Sequence, residues 1–141
     1  MDQLIEFAGN NMLLAGIWVA LVAMLIFSYV SAWTSPVKEV NTHEATLLIN
    51  KQDAMVLDIR AVKEFKAGHI LSARQIKPEE IREKNFSKLE KNKDKPIIVV
   101  CAMGNSSRSV ASSMKKAGFE DVYVLKGGMN AWQSASLPVS K

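Results

Sequence analysis

The chain has 141 residues, one cysteine, two histidines and a formal charge of +4, with a mean hydropathy of +0.04. A single cysteine excludes an intrachain disulfide framework and any zinc site built from several thiolates. Four prolines and seven glycines exclude collagen-like or Pro/Gly low-complexity sequence, and the length suits one ordinary domain.

The charge is not spread evenly. Glu6 is the last charged residue before Lys38. Residues 1–11 read as a short N-terminal tail. From Met12 to Trp33 the sequence is apolar on every helical face, and 22 residues at ~1.5 Å each give roughly 33 Å of helix. That spans a hydrocarbon core of about 30 Å. Tyr29 and Trp33 suit an interfacial aromatic belt, and Pro36 ends the helix. A cleaved signal peptide is the competing reading, but it wants a basic segment before a shorter apolar run. Asp2 and Glu6 stand there instead. The segment therefore reads as a single transmembrane helix over 12–33. Lys38 and Lys51 follow it and no basic residue precedes it, which by the positive-inside rule puts the C-terminal domain in the cytoplasm. The expected place is the inner membrane, with the bilayer as one partner and a membrane protein as a further one.

Residues 34–40 read as a linker, and residues 41–141 as a soluble domain. Asn41 and Glu44 have capping-box spacing before an apolar stripe at Ala45, Leu48 and Ile49, which predicts a helix. Ala54–Leu57 predicts a short buried strand that ends at Asp58. Ala61–Ala67 predicts one or two helical turns closed by Gly68. Ala73–Ile76 predicts a brief strand. Pro78 opens a helical stretch whose apolar face continues through Phe86 and Leu89. The lysine-rich run 91–95 is a solvated turn without the interleaved aromatics that nucleic-acid binding wants. Ile97–Val100 is four apolar, β-branched residues without alternation, the mark of a strand buried on both faces of a parallel sheet. Cys101 follows it, then a loop from Ala102 to Ser106, then a helix from Ser107 to Ala117. Val122–Leu125 predicts another buried strand, and Gly127–Gly128 turns into a short helix. Strands alternating with helices predict an α/β domain with a mostly parallel central sheet.

In such a sheet ligands bind beyond the carboxyl ends of the strands. Cys101 stands at such an end. The loop amides, the positive end of the following helix and Arg108 all favour thiolate over thiol, so the pKa of Cys101 is expected to be depressed. Gly104 supplies the backbone freedom that the turn needs, and Ser106, Ser107 and Ser109 supply hydroxyls.

Three segments carry a family resemblance. Val99-Val100-Cys101-Ala102-Met103-Gly104-Asn105-Ser106-Ser107-Arg108-Ser109 resembles the active-site loop of rhodanese sulfurtransferases. Asp58-Ile59-Arg60, Glu64-Phe65 and Gly68-His69-Ile70 resemble a second signature of that family, and Leu125-Lys126-Gly127-Gly128 with Trp132 a third. The layout is similar to bacterial single-domain rhodaneses with one N-terminal membrane helix. The resemblance implies a three-layer α/β fold and no metal or organic cofactor. It implies that Cys101 takes a sulfane sulfur from thiosulfate or a similar donor and passes it to cyanide or a thiol. Ala102, Met103, Gly104, Asn105, Ser106 and Arg108 would bind the substrate, with Asp58 and Arg60 in support. Many relatives carry Arg where this chain has Ser106.

Two other functions compete. A non-catalytic domain of this fold could recruit partners at the inner membrane. A Cys-dependent phosphatase or arsenate reductase would need Arg at position 107, and this chain has Ser107.

Overall fold

The computed structural model describes residues 1–33 and 37–141, with the side chains of Leu4, Ala8 and residues 31–33 left aside. The chain divides into two units, Met1–Ser35 and Pro36–Lys141.

In the first unit the expected tail is a helix, α1 (Asp2–Asn10), and the apolar run is a second, α2 (Met12–Trp33). They part only at Asn11, whose backbone N–H and side-chain amide both donate to the Phe7 carbonyl, at 3.0 and 3.3 Å. The window Met12–Val30 has a mean hydropathy of 2.4 and no buried residue. Its length and composition suit a membrane span, and a signal sequence meets the same description. The expected helix stop at Pro36 lies outside the described residues, as does the side chain of Trp33.

The second unit is built on a five-stranded sheet in which every neighbouring pair is parallel. Its strands are β1 (Lys38–Val40), β2 (Met55–Asp58), β4 (Arg74–Gln75), β5 (Ile97–Val100) and β6 (Val122–Leu125), in the order β1-β6-β5-β2-β4. A second, antiparallel ladder pairs β3 (His69–Ile70) with β7 (Val139–Ser140). The expected linker 34–40 thus needs correction, because its last three residues form an edge strand. Lys38-Glu39-Val40 is too short and too polar to announce a strand. Its pairing with Tyr123–Leu125 is what makes it one.

The central strand β5 explains the layers. Successive side chains point to opposite faces. Ile97, Val99 and Cys101 enter one core, with Phe86, Leu89, Val110, Ala111 and Met114. Ile98 and Val100 enter the other, with Ala45, Leu125, Met129 and Trp132. Helix α6 (Asn105–Lys116) covers the first face, while α3 (Thr42–Gln52) and α7 (Gly128–Ser134) cover the second. Two apolar faces force two helical layers around one sheet. The capping box is present as expected: Asn41 Oδ1 accepts the Glu44 N–H at 2.8 Å, and Glu44 Oε2 accepts the Asn41 N–H at 2.9 Å.

The expected helical stretch from Pro78 onward is divided. After the short helix α4 (Val62–Ala67), helix α5 (Pro78–Arg82) ends early, Lys84 takes φ +53°, and a 3-10 helix runs from Ser87 to Asn92. A left-handed residue cannot continue an α-helix. Phe86 and Leu89 are nevertheless buried in the core.

One buried ion pair fixes the end of β2. Asp58 is 1% exposed and Arg60 is 8% exposed at the side chain. Arg60 Nη2 donates to Asp58 Oδ2 at 2.7 Å and to the Gly68 carbonyl at 2.8 Å, and Arg60 Nε donates to Asp58 Oδ1 at 3.0 Å. The guanidinium so ties the exit of β2 to the start of β3. Arg60→Leu leaves the Asp58 carboxylate buried and unpaired. It is expected to lower unfolding free energy by about 3–5 kcal/mol, measured by urea denaturation of the full chain in detergent.

Candidate active site

Strand β5 delivers Cys101 to the carboxyl edge of the sheet, where it is 6% exposed. The chain then turns through Gly104, at φ +91°, into α6. The helix starts at Asn105, two residues earlier than the sequence predicts. The first-turn amides of Ser106 and Ser107 therefore belong to a helix N-terminus, where they have no intrahelical carbonyl to bond. The Gly104 N–H donates to Cys101 Sγ at 2.9 Å. The thiol donates to Ser107 Oγ at 3.4 Å, and that hydroxyl donates to the Gly104 carbonyl at 3.1 Å. Once the thiol is ionised, the same hydroxyl can rotate and donate to sulfur.

Burial by itself pushes the Cys101 thiol up. Hydrogen bonding from the Ser107 hydroxyl, then from the backbone amides of Ser107, Gly104 and Ser106, more than offsets this, and the Cys101 pKa lies below its ordinary value. Neutral dipoles lower it here. Arg108, placed near the thiolate by the sequence reading, pairs instead with Glu39 of β1.

The turn into α7 holds the first two carbonyls of the loop. The Met129 N–H donates to the Cys101 carbonyl at 2.8 Å, and the Asn130 N–H donates to the Ala102 carbonyl at 3.1 Å. Gly128 makes the approach possible. It has φ +58°, and a Cβ there would lie 2.2 Å from the Cys101 carbonyl oxygen and 2.8 Å from that of Ala102.

Of the residues that the sequence singles out, Cys101, Gly104 and the amide of Ser106 meet at the sulfur. Met103 and Asn105 stand exposed on the rim, and Ala102 is half-buried. Asp58 and Arg60 lie at the end of the neighbouring β2, bonded to each other. His69 stacks on Phe65 with ring centroids 3.9 Å apart, and its Nδ1 lies 2.9 Å from the Phe65 carbonyl. Trp132 is core, its Nε1 donating to the Pro138 carbonyl at 3.1 Å. Sequence reasoning named Ser107 only as one of three hydroxyls at the loop, and it left out Gly128 and Glu39. The double glycine two residues after the end of β6 was a signal of tight backbone approach, but nothing local said what approached. Among the described residues, no group of three or more His, Cys, Asp or Glu side chains could hold a metal ion.

The rhodanese-like domain family matches residues 41–135. The chain belongs to the rhodanese-like family. It is 40% identical over 139 residues to the uncharacterized protein YibN of Escherichia coli K12, covering 99% of this chain and 97% of that one. It is 38% identical over 98 residues to the thiosulfate sulfurtransferase GlpE of Pseudoalteromonas translucida, covering 70% of this chain and 90% of that one. Among solved structures, a rhodanese-related protein from Thermoplasma volcanium superposes with a TM-score of 0.61 at 32% identity, over 73% of this chain and 97% of that one. All of these rhodanese relatives overlap the unit that carries Cys101. The YibN similarity extends through the apolar helix as well, since it covers 99% of this chain.

Only thiolate reacts with iodoacetamide, so Cys101 alkylation is expected to rise with pH at a lower pH than a free thiol's. Ser107→Ala removes a donor to the thiolate and moves that profile upward in pH. Gly128→Ala puts a Cβ against the Cys101 carbonyl at a left-handed φ. It is expected to cost more than about 1 kcal/mol of stability and to move the alkylation profile upward as well. Intact-mass alkylation rates across pH and urea melts check these outcomes.

Proposed function

We propose that this chain is a sulfurtransferase, anchored in a membrane by α2, that carries sulfane sulfur on Cys101. The observation that carries the reading is the sulfur itself. A single thiol stands at the end of β5 with the Gly104 N–H 2.9 Å away, the Ser107 hydroxyl at 3.4 Å and a lowered pKa. Similarity to a thiosulfate sulfurtransferase over the same unit supports it.

In the first half-reaction the Cys101 thiolate attacks the outer, sulfane sulfur of a donor such as thiosulfate. A Cys101 S–S bond forms, the donor's own S–S bond breaks, and sulfite leaves with the electron pair. In the second, a thiolate or cyanide attacks the outer sulfur of the persulfide, and the Cys101 thiolate departs with its pair. The loop amides that lower the thiol's pKa serve as donors to the outer sulfur, an electrostatic role of the oxyanion-hole kind. A low-pKa thiolate is also a good leaving group in the second step. No oxidant is consumed, and no general base is needed beyond solvent.

The helix α2 supplies the anchor, and Lys38 and Lys51 after it favour a cytoplasmic domain. A phosphatase reading finds little support, because Ser107 occupies the position where an inward arginine would be needed and Arg108 turns to Glu39.

The test is intact mass of the full chain in detergent after incubation with thiosulfate. Wild type is expected to gain one sulfur atom, reversibly with cyanide, and Cys101→Ser to gain none. Failure to gain sulfur from any sulfane donor would leave the partner-recruiting role as the better reading. Restoration of a deletion phenotype by Cys101→Ser would do the same for the cell.

A further inference from the structure

Helix α1 (Asp2–Asn10) is nine residues long, and a helix shorter than about 12 residues is marginal in water by itself. Little in its own sequence holds it. Met1 at the N-cap makes no side-chain hydrogen bond, and Gly9 and Asn10 near its end are weak helix formers. A helix of this kind owes its stability to a surface that covers one of its faces.

The sequence supplies such a face. At about 100° per residue, Leu4, Ile5, Phe7 and Ala8 fall on one side of α1. Asp2, Glu6, Gly9 and Asn10 fall on the other, with Gln3 at the border. Ile5 is 71% exposed and Phe7 is 57% exposed, so the described residues leave that side uncovered.

What lies next to it is set by α2. The 22 residues of α2 give roughly 33 Å at ~1.5 Å each, enough by themselves to cross a hydrocarbon core of about 30 Å. Helix α1 is thus left at the edge of that core, where water meets acyl chain. A carboxylate within hydrocarbon is costly, so Asp2 and Glu6 oppose a longer span. Asn11 alone separates the two helices, and its φ of −132° and ψ of 54° are not helical. The break frees α1 from the direction of α2. The one-residue tether keeps its apolar side at the bilayer surface at high effective concentration.

Resting on the membrane-anchored reading above, we propose that α1 is an interfacial helix. It lies along the bilayer surface with the side that carries Ile5 and Phe7 against the acyl boundary and Asp2 and Glu6 in water. The partner of its apolar side is phospholipid. Many interfacial helices add a basic polar face that attracts anionic lipid. The polar face of α1 carries two carboxylates and no basic residue, so its contact rests on apolar burial and the tether and needs no anionic lipid.

The test is a spin-labelled cysteine scan of positions 2–10 in the full chain, in the Cys101→Ser background, reconstituted into phosphatidylcholine vesicles. Position 21, within α2, is the reference. At each position, collision with oxygen, which partitions into lipid, is compared with collision with a water-soluble nickel chelate. The oxygen-to-nickel ratio is expected to oscillate with the helical period and to be several-fold higher at positions 4, 5 and 8 than at 2, 6 and 9. Adding phosphatidylglycerol is expected to leave that contrast equal or smaller. A uniformly low ratio over 2–10 overturns the proposal, because α1 then stands in water. A ratio that climbs steadily from 2 to 10 overturns it too, because α1 then continues the span. Spin–spin broadening at positions 4, 5 and 8 that dilution with unlabelled chain removes assigns the face to a second copy, against the proposal. Contrast that appears only with phosphatidylglycerol also counts against it. In each of these cases a high ratio at position 21 leaves the membrane anchor standing. A low ratio at position 21 overturns the anchor and this inference with it.

Discussion

The candidate site depends on two hydrogen bonds that never touch the Cys101 sulfur. The amides of Met129 and Asn130 hold the carbonyls of Cys101 and Ala102, which fixes the first two peptide planes of the loop. A peptide plane has one donor edge and one acceptor edge. The two planes held this way carry the N–H groups of Ala102 and Met103, and the Gly104 N–H that meets Sγ lies in the plane that follows them. Gly128 is the condition for this, since any Cβ would collide with the Cys101 carbonyl. Gly104 makes the same accommodation from the other side, where a Cβ would meet the Gly127 backbone nitrogen at 3.1 Å. Two glycine turns from distant parts of the sequence thus build one cradle.

The groups bonded to Cys101 Sγ are an amide and a hydroxyl, both neutral dipoles. Arg60 and Arg108 are both engaged in ion pairs. Arg60 joins β2 to the start of β3, and Arg108 joins α6 to the edge strand β1. After position 36 the chain carries 18 basic against 12 acidic residues.

The N-terminal unit differs sharply from the domain in composition. Its two acidic residues precede an uncharged helix of 22 residues with no polar face and no buried residue in its most apolar window. The net charge of +4 averages this segment with a domain of +6, and the average describes neither. The near-zero mean hydropathy hides the same division.

Much of this was legible in the sequence because the signals were local. An apolar run of membrane-spanning length, a capping box at Asn41 and Glu44, and four β-branched residues before a cysteine each carry their meaning within a few residues. The bounds of α2 and the place of Cys101 followed from them. The start of α6, the edge strand β1 and the two-residue strands β3 and β7 did not, because pairing with distant chain defines them. The same holds for chemistry. Composition and order determined that one thiol would sit at a strand end before a helix. Only the tertiary structure decided that Arg108 would turn to Glu39, that Ser107 would face the sulfur, and that Gly128 would brace the loop. Side-chain direction on a helix changes by about 100° per residue. A shift of two residues in where α6 begins therefore decides which group meets the thiolate, and that starting point is set by contacts the local sequence does not contain.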